Sequence, residues 1–244
     1  MKKQIFLSVI IPVYNEERNI NNTLKKITSY IQRNKWEYEI IVVDDGSKDS
    51  TRKIVEDYKK ENSHIELLRN RVNKGKGYAV KRGMLEGTGQ YLLFLDADLS
   101  TPIEEIQKLL KWLGEGYDIA IGSRALPDSE IEIHQPWYRE AIGRIFNLLV
   151  QGMGMRGIKD TQCGFKCFKK AVAHDLFRHQ KIDGLAFDVE ILFSPLNHNY
   201  KIKEVPVHWI NSPITRVPLI CSSFQMLRDL IRIKINNWKK RYQI

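Results

Sequence analysis

Residues 91–100 read YLLFLDADLS, an apolar run that stops at two carboxylates, Asp96 and Asp98. A stretch that is apolar at successive positions belongs to a strand buried on both faces, the usual condition of a parallel sheet covered by helices. The same pattern recurs around it. Apolar runs near Phe6–Val13, Glu39–Val43, Ile65–Leu68 and Asp118–Ile121 alternate with helical periodicity near 16–32, 50–61, 76–86 and 102–113. That alternation predicts βαβ units and an α/β fold built on a mainly parallel sheet with helices on both faces. Within DDGSKDST, Gly46 is expected to bend a strand-to-helix turn and Asp49 or Ser50 to cap the next helix, with Pro102 at a first helical position.

After IGSR, residues 121–124, the character changes. A mixed basic, aromatic and apolar segment includes a helical stretch, YREAIGRIFNLLVQGMGM, followed by a loop, a short helix–strand series and a last strand, KIKEVPVHW. The tail SSFQMLRDLIRIKINNWKKRYQI is helical and strongly basic. No internal repeat or low-complexity linker divides the chain, so residues 1–123 and 124–244 read as two halves of one unit.

Composition bounds the function. With 244 residues and 43% hydrophobic content the chain can bury a sizeable core. Its 39 Lys and Arg exceed its 29 Asp and Glu by 10, which suits anionic partners without choosing among them. Cys163, Cys167 and Cys221 form no paired zinc motif, and with His174 they match no metal spacing, so buried free thiols and a reduced compartment are expected. The apolar run Ile5–Val13 is too short for a membrane span and carries no small-residue cleavage site. It reads as a first buried strand, and any membrane contact as peripheral.

If strand geometry persists through Ala97, Asp96 and Asp98 project to one side. Two converging carboxylates repel unless a cation lies between them, and a hard divalent ion such as Mg²⁺ or Mn²⁺ relieves that repulsion while holding a diphosphate. On the tripeptide alone, a loop-capping pair is the better explanation, since DAD is a common sequence. Other strand ends favour a site: Asp44 and Asp45 close the second strand, PVYNEE closes the first, and Arg124 follows the fifth. Ligands of parallel α/β sheets collect at that edge. A dinucleotide dehydrogenase would need GxGxxG where this chain has PVYNEERN, and NKGKG, residues 73–77, lacks the closing GK[ST] of a P-loop. Lys74 and Lys76 there can still approach a phosphate at a helix N-terminus.

The ordered set SVIIPVYNEE, IIVVDDGSKDST, NKGKGYAVKRG, YLLFLDADLS and IGSR resembles the inverting glycosyltransferases of family 2, which have a GT-A fold. GRIFN, DTQCGFKCF, AFDVEIL and EVPVHW look like the polyprenyl-phosphate sugar transferases, and most like dolichyl-phosphate β-glucosyltransferases. The resemblance implies a nucleotide-sugar-binding half, residues 1–123, and an acceptor-binding and membrane-surface half, residues 124–244. One of Asp44 and Asp45 would read the base or ribose, flanked by Pro12, Tyr14 and Glu16, with Lys74 and Lys76 toward the phosphates. Asp96 and Asp98 would hold Mg²⁺ or Mn²⁺ on the donor diphosphate, with Ser100 a weak third ligand.

A lipid phosphate is already anionic and needs positioning more than a base. Arg124, Arg139 and Arg144 are therefore the expected acceptor-side cations, with Asp160 and Gln162 as polar contacts. Asp188 stands where members that attack with a hydroxyl carry their base, and here would orient the sugar or an arginine. The resemblance implies hexose transfer, first from UDP-glucose and second from GDP-mannose, to a polyprenyl or dolichyl phosphate at the cytosolic membrane face. A nucleic-acid-binding protein would share the charge but gains nothing from carboxylates in its cleft, and a non-catalytic basic membrane scaffold has no use for Asp96 and Asp98 together. The amphipathic tail is expected on an anionic membrane surface. Packing between subunits or onto a membrane-protein partner also fits its apolar positions.

Overall fold

A computed structural model describes residues 4–133, 137–152, 155, 157–193, 199–210 and 219–242, with the side chains of 137–141, 144 and 219–223 outside that description. Strands β1 (Leu7–Val13), β2 (Tyr38–Asp44), β3 (Ile65–Arg69), β4 (Tyr91–Leu95), β5 (Ile119–Ser123), β7 (Phe165–Lys169) and β8 (Ile202–Pro206) form one sheet in the order β3-β2-β1-β4-β7-β5-β8. All its pairings are parallel except those of β7, which runs against both β4 and β5. Strands β6 (Glu130–Ile133) and β9 (His208–Ile210) make a separate parallel ribbon. Each expected strand of the first half begins and ends within two residues of its predicted place.

Alternation explains the continuous apolar runs. Leu7, Val9, Ile11, Leu93 and Leu95 feed one core, while Ile10, Leu92 and Phe94 feed the other. The first core is covered by α1 (Ile20–Arg33), α2 (Thr51–Glu61) and α4 (Ile106–Gly114). The second is covered by α3 (Lys76–Glu86), α5 (Trp137–Gly152), α6 (Lys170–His179), α7 (Phe187–Phe193) and α8 (Leu219–Trp238). In α1, Ile20, Leu24, Ile27 and Ile31 recur at helical spacing and are fully buried. Each such side chain contributes about 1.5–3 kcal/mol relative to exposure.

Two local expectations differ in detail. Residues 16–19 form a turn rather than the first turn of α1, with Asn19 Nδ2 donating to Glu16 Oε2 at 2.7 Å. Pro102 precedes a short 3-10 turn, Ile103–Glu105, and not a full α-helix. Gly46 does bend its turn, at φ +80°, where a Cβ would press on the Val72 backbone. Ser50 occupies the N-cap position of α2 without a side-chain cap bond, and Asp49 before it accepts from Thr51 N at 3.0 Å through Oδ1.

The sheet joins the two halves of the chain. β7, from the second half, inserts between β4 and β5, and because it is antiparallel its start lies beside the carboxyl ends of its neighbours. Leu95 faces Phe165 and Ile121 faces Lys166 in register. The segment preceding β7, Asp160–Gly164, is thereby delivered to the edge where Asp96 and Arg124 stand.

Candidate functional site

The sheet order reverses direction at β1, between β2 and β4, and the β1–β4 pairing stops at Ile10↔Phe94. Beyond that point the strand ends part, which is where open α/β sheets hold ligands. Pro12 lies in β1 past this last pair, partly buried, and Tyr14 is 39% exposed at the rim. The turns after β1 and β2 are stapled together: Asn15 N donates to Ser47 Oγ at 2.9 Å, and Lys48 N to Asn15 Oδ1 at 2.7 Å. Asn15 adopts φ 56°, a left-handed conformation that asparagine tolerates.

The structure separates the two neighbouring aspartates. The Asp45 carboxylate accepts from Asn70 Nδ2 at 2.7 Å, from Lys74 N at 3.0 Å and from Gly75 N at 2.8 Å, so it is spent on clamping residues 70–75. The Asp44 carboxylate, also buried, accepts one backbone bond from within its own turn, from Ser47 N at 2.9 Å, among the hydrogen bonds of the described residues. The glycines of NKGKG serve close packing. Gly75 has φ +111°, and a Cβ there would run into the Asp183 carbonyl; one at Gly77 would meet Ile182, Gly184 and Phe187.

β4 ends at Leu95, so Asp96 and Asp98 leave from a turn and not from continued strand geometry; Leu99 within it has φ 50°. That turn is held at three points. Asp96 N donates to Gly164 O at 3.2 Å, Thr23 Oγ1 to Ala97 O at 2.5 Å, and Ile210 N to Ser100 O at 2.8 Å. Ser100 N in turn donates to Asp98 Oδ1 at 3.0 Å. The Asp96 carboxylate packs against Gly164, where any side chain would displace it. Burial and the neighbouring Asp96 charge hold Asp98 above the ordinary carboxylate range. Lys76 Nζ reaches Asp96 Oδ1 at 2.6 Å; burial opposes its charge, yet Asp96 and Asp188 outweigh it and raise the lysine pKa. Among the described residues, no three His, Cys, Asp or Glu side chains form a metal-binding group.

Arg124 and Asp160 form a bidentate pair, Nε to Oδ2 at 2.7 Å and Nη2 to Oδ1 at 2.9 Å, reinforced by Arg124 N and Gln162 N. The Arg124 guanidinium also lies 5.4 Å from the Trp209 ring centre. Asp160 is therefore saturated, while Gln162 keeps a buried Nε2 with no partner among the described residues. Burial would raise the Asp160 pKa, but Arg124 holds it down at about 2. Because the folded value is depressed, this contribution is present above the ordinary aspartate pKa and lost as pH falls from about 4 toward about 2. The stability gap between the parent and Asp160→Asn, on the order of 2 kcal/mol near neutrality, is expected to close over that window in urea titrations. A gap independent of pH would contradict this.

A further buried pair escaped the sequence reading. Lys166 Nζ donates to Asp188 Oδ1 at 2.5 Å and to Cys163 O at 2.6 Å, with both side chains almost fully enclosed. In FKCFK, Phe168 serves one core and Phe165 and Cys167 the other, so Lys166 occupies a position whose parity is that of Phe168. A lysine out of place in that alternation was the available signal. Burial pushes Asp188 up, against the pull of Lys166 and Lys76. Cys163 and Cys167 are buried free thiols, and burial raises Cys163 to about 11. His174 is partnered with the Gly87 carbonyl at 3.0 Å. Arg139 and Arg144 belong to α5, and their side chains lie outside the described residues.

The chain is similar to known proteins in sequence and in fold. The family model described as glycosyl transferase family 2 matches residues 8–177. A dolichyl-phosphate beta-glucosyltransferase of Dictyostelium discoideum is 39% identical, covering 94% of this chain and 74% of that protein. The Saccharomyces cerevisiae and Homo sapiens proteins of the same name are 34% and 33% identical, over 96% and 94% of this chain and 75% of each of theirs. Among solved structures, glucosyl-3-phosphoglycerate synthase from Mycobacterium tuberculosis with UDP superposes with a TM-score of 0.70 at 18% identity, covering 94% of this chain and 80% of that one. The same enzyme with Mn²⁺, UDP-glucose and phosphoglyceric acid also gives a TM-score of 0.70.

Proposed function

The chain belongs to glycosyltransferase family 2, and from that premise we propose that it moves glucose from UDP-glucose to a polyprenyl or dolichyl phosphate, with inversion, as a peripheral protein on the cytoplasmic side of a membrane. The observation that carries this reading is the turn Asp96–Ser100, held at three points beside the parted ends of β1 and β4. Relatives named for glucosyl transfer to dolichyl phosphate match the chain along nearly its whole length. GDP-mannose transfer is the runner-up.

In this reading residues 1–123 bind the donor and 124–244 the acceptor. Asp44 reads the base or ribose, since Asp45 is committed to the 70–75 loop, with Pro12, Tyr14 and Glu16 lining the rim. The residues at the turn suit a hard divalent ion: two carboxylates share one turn, Asp98 is crowded by burial and by the Asp96 charge, and Lys76 already holds a cation at Asp96. Asp96 and Asp98 would hold Mg²⁺ or Mn²⁺, which when bound supplies Lewis-acid stabilisation of charge on a diphosphate. Lys76, already at Asp96, adds a cation for the donor phosphates, and Lys74 flanks it.

The acceptor phosphate arrives as an anion, so no general base is required. Asp188, enclosed with Lys166, acts on orientation and not as a proton acceptor for substrate. Arg124 fixes the Asp160–Gly164 segment through its bidentate pair with the Asp160 carboxylate, and Gln162 in that segment is the polar contact on the acceptor side. Arg139 and Arg144 on α5 are the remaining acceptor cations. Thermal shift tests the donor half. UDP with Mn²⁺ is expected to raise the unfolding temperature more than GDP with Mn²⁺, because a ligand bound only to the native state stabilises it. No shift with UDP and Mn²⁺ at high concentration would remove the donor assignment.

A further inference from the structure

Helix α8 has apolar residues on two opposite faces. On the inner one, Leu230 and Ile233 are buried in the core with Met226 packed against it, and Tyr242, just past the helix, donates to Glu190 Oε1 at 2.6 Å. On the outer one, Phe224, Leu227, Ile231, Ile235 and Trp238 are 72, 42, 58, 44 and 82% exposed. Their successive spacings of three, four, four and three residues keep them within a stripe about 80° wide on an α-helix. Single exposed apolar residues need no explanation, but a continuous stripe marks a contact surface.

Charge borders this stripe. At 100° per residue, Arg228 and Arg232 run along one side and Lys234 along the other, with Lys239 in the turn just past the helix, all exposed. The helix contains one acid, Asp229, and it is buried on the inner face. Among the described residues no helix is long and apolar enough to cross a membrane. A second copy of the chain docking stripe to stripe would bring both sets of cations together, between molecules of net charge +10 each. Anionic headgroups complement the same arrangement.

We propose that the outer face of α8 is the docking surface for an anionic lipid bilayer, with Phe224, Leu227, Ile231, Ile235 and Trp238 at the acyl–headgroup boundary and the bordering cations against phosphate headgroups. This names the membrane partner of the reading above and rests on that reading only for the presence of a bilayer. The inner face keeps α8 fixed to the enzyme, so lipid contact leaves the core intact.

Deleting residues 224–244 would also strip Leu230, Ile233 and Tyr242 from the core, so surface substitutions are the proper test. Full-length protein is sedimented with vesicles of phosphatidylcholine alone or mixed with phosphatidylglycerol, beside Ile231→Ser/Trp238→Ser and Arg228→Gln/Arg232→Gln variants. The parent is expected to bind the anionic vesicles preferentially and to release in high salt. Each lost cation should weaken binding about fivefold, and the apolar pair more than about tenfold. All changed side chains are exposed, so unfolding temperatures should match the parent. Variants that fold normally and bind like the parent would overturn the proposal, as would a parent dimer in lipid-free solution that Trp238→Ser abolishes. Transfer to a short, detergent-soluble polyprenyl phosphate should persist in every variant. If the parent transfers nothing while vesicle binding follows the stripe, the surface stands and the reading of the reaction falls.

Discussion

Asp96→Asn and Asp98→Asn are each expected to lower the glycosyl-transfer rate by about a hundredfold or more, the scale of losing one charge-stabilising group at a reacting centre. Stability should barely move. Asparagine keeps the shape that packs on Gly164, and the Lys76–Asp96 pair, with side chains 25% and 37% exposed, contributes at most about 1 kcal/mol. The turn itself is tied through backbone atoms of Asp96, Ala97 and Ser100, which neither substitution touches. Rate measurement beside thermal unfolding separates the two effects. Full activity in both variants, or undiminished activity in EDTA, would remove the divalent ion from the account.

The second large effect falls on stability. Lys166→Met leaves Asp188 enclosed without its cation and the Cys163 carbonyl without its donor, and is expected to cost about 3–5 kcal/mol. The double variant Lys166→Met/Asp188→Leu removes both charges and should recover much of that loss, because an apolar pair of similar volume suits a dry interior. Urea unfolding of the parent, the two single variants and the double variant completes the cycle. Additive losses across the cycle would mean that the two side chains do not depend on each other. Since Lys166 also anchors the segment that carries Gly164 against Asp96, the single variant should slow transfer even where it remains folded.

β1, β2, β4 and β5 were legible because both of their faces are largely buried, so apolar runs such as Val9–Ile11 admit few other readings. Turn chemistry was legible at Gly46, where backbone conformation dictates the residue. β7 was not. Five residues, FKCFK, among helical segments carry little periodicity, and its place between β4 and β5 is set by pairing with strands far away in sequence. The same non-locality hid how the site residues are used. Arg124 and Asp160 were each readable as polar groups at an edge, but their mutual bidentate pair depends on β7 reversing direction. Asp45 differs from Asp44 only through the fold of residues 70–75 around it. In α8, apolar residues at 226, 227, 230, 231, 233, 235 and 238 spread around the helix, so spacing alone did not divide the buried face from the exposed one.

The most direct test of the central claim is the product formed when the full-length protein, UDP-glucose, Mn²⁺ and dolichyl phosphate are incubated in anionic vesicles, identified by mass and by the proton coupling at the sugar's anomeric carbon. The expected product is dolichyl phosphate bearing one glucose in β linkage, formed at least about a hundredfold more slowly by the Asp98→Asn variant. An α-linked product, or transfer of mannose from GDP-mannose with none from UDP-glucose, would contradict it.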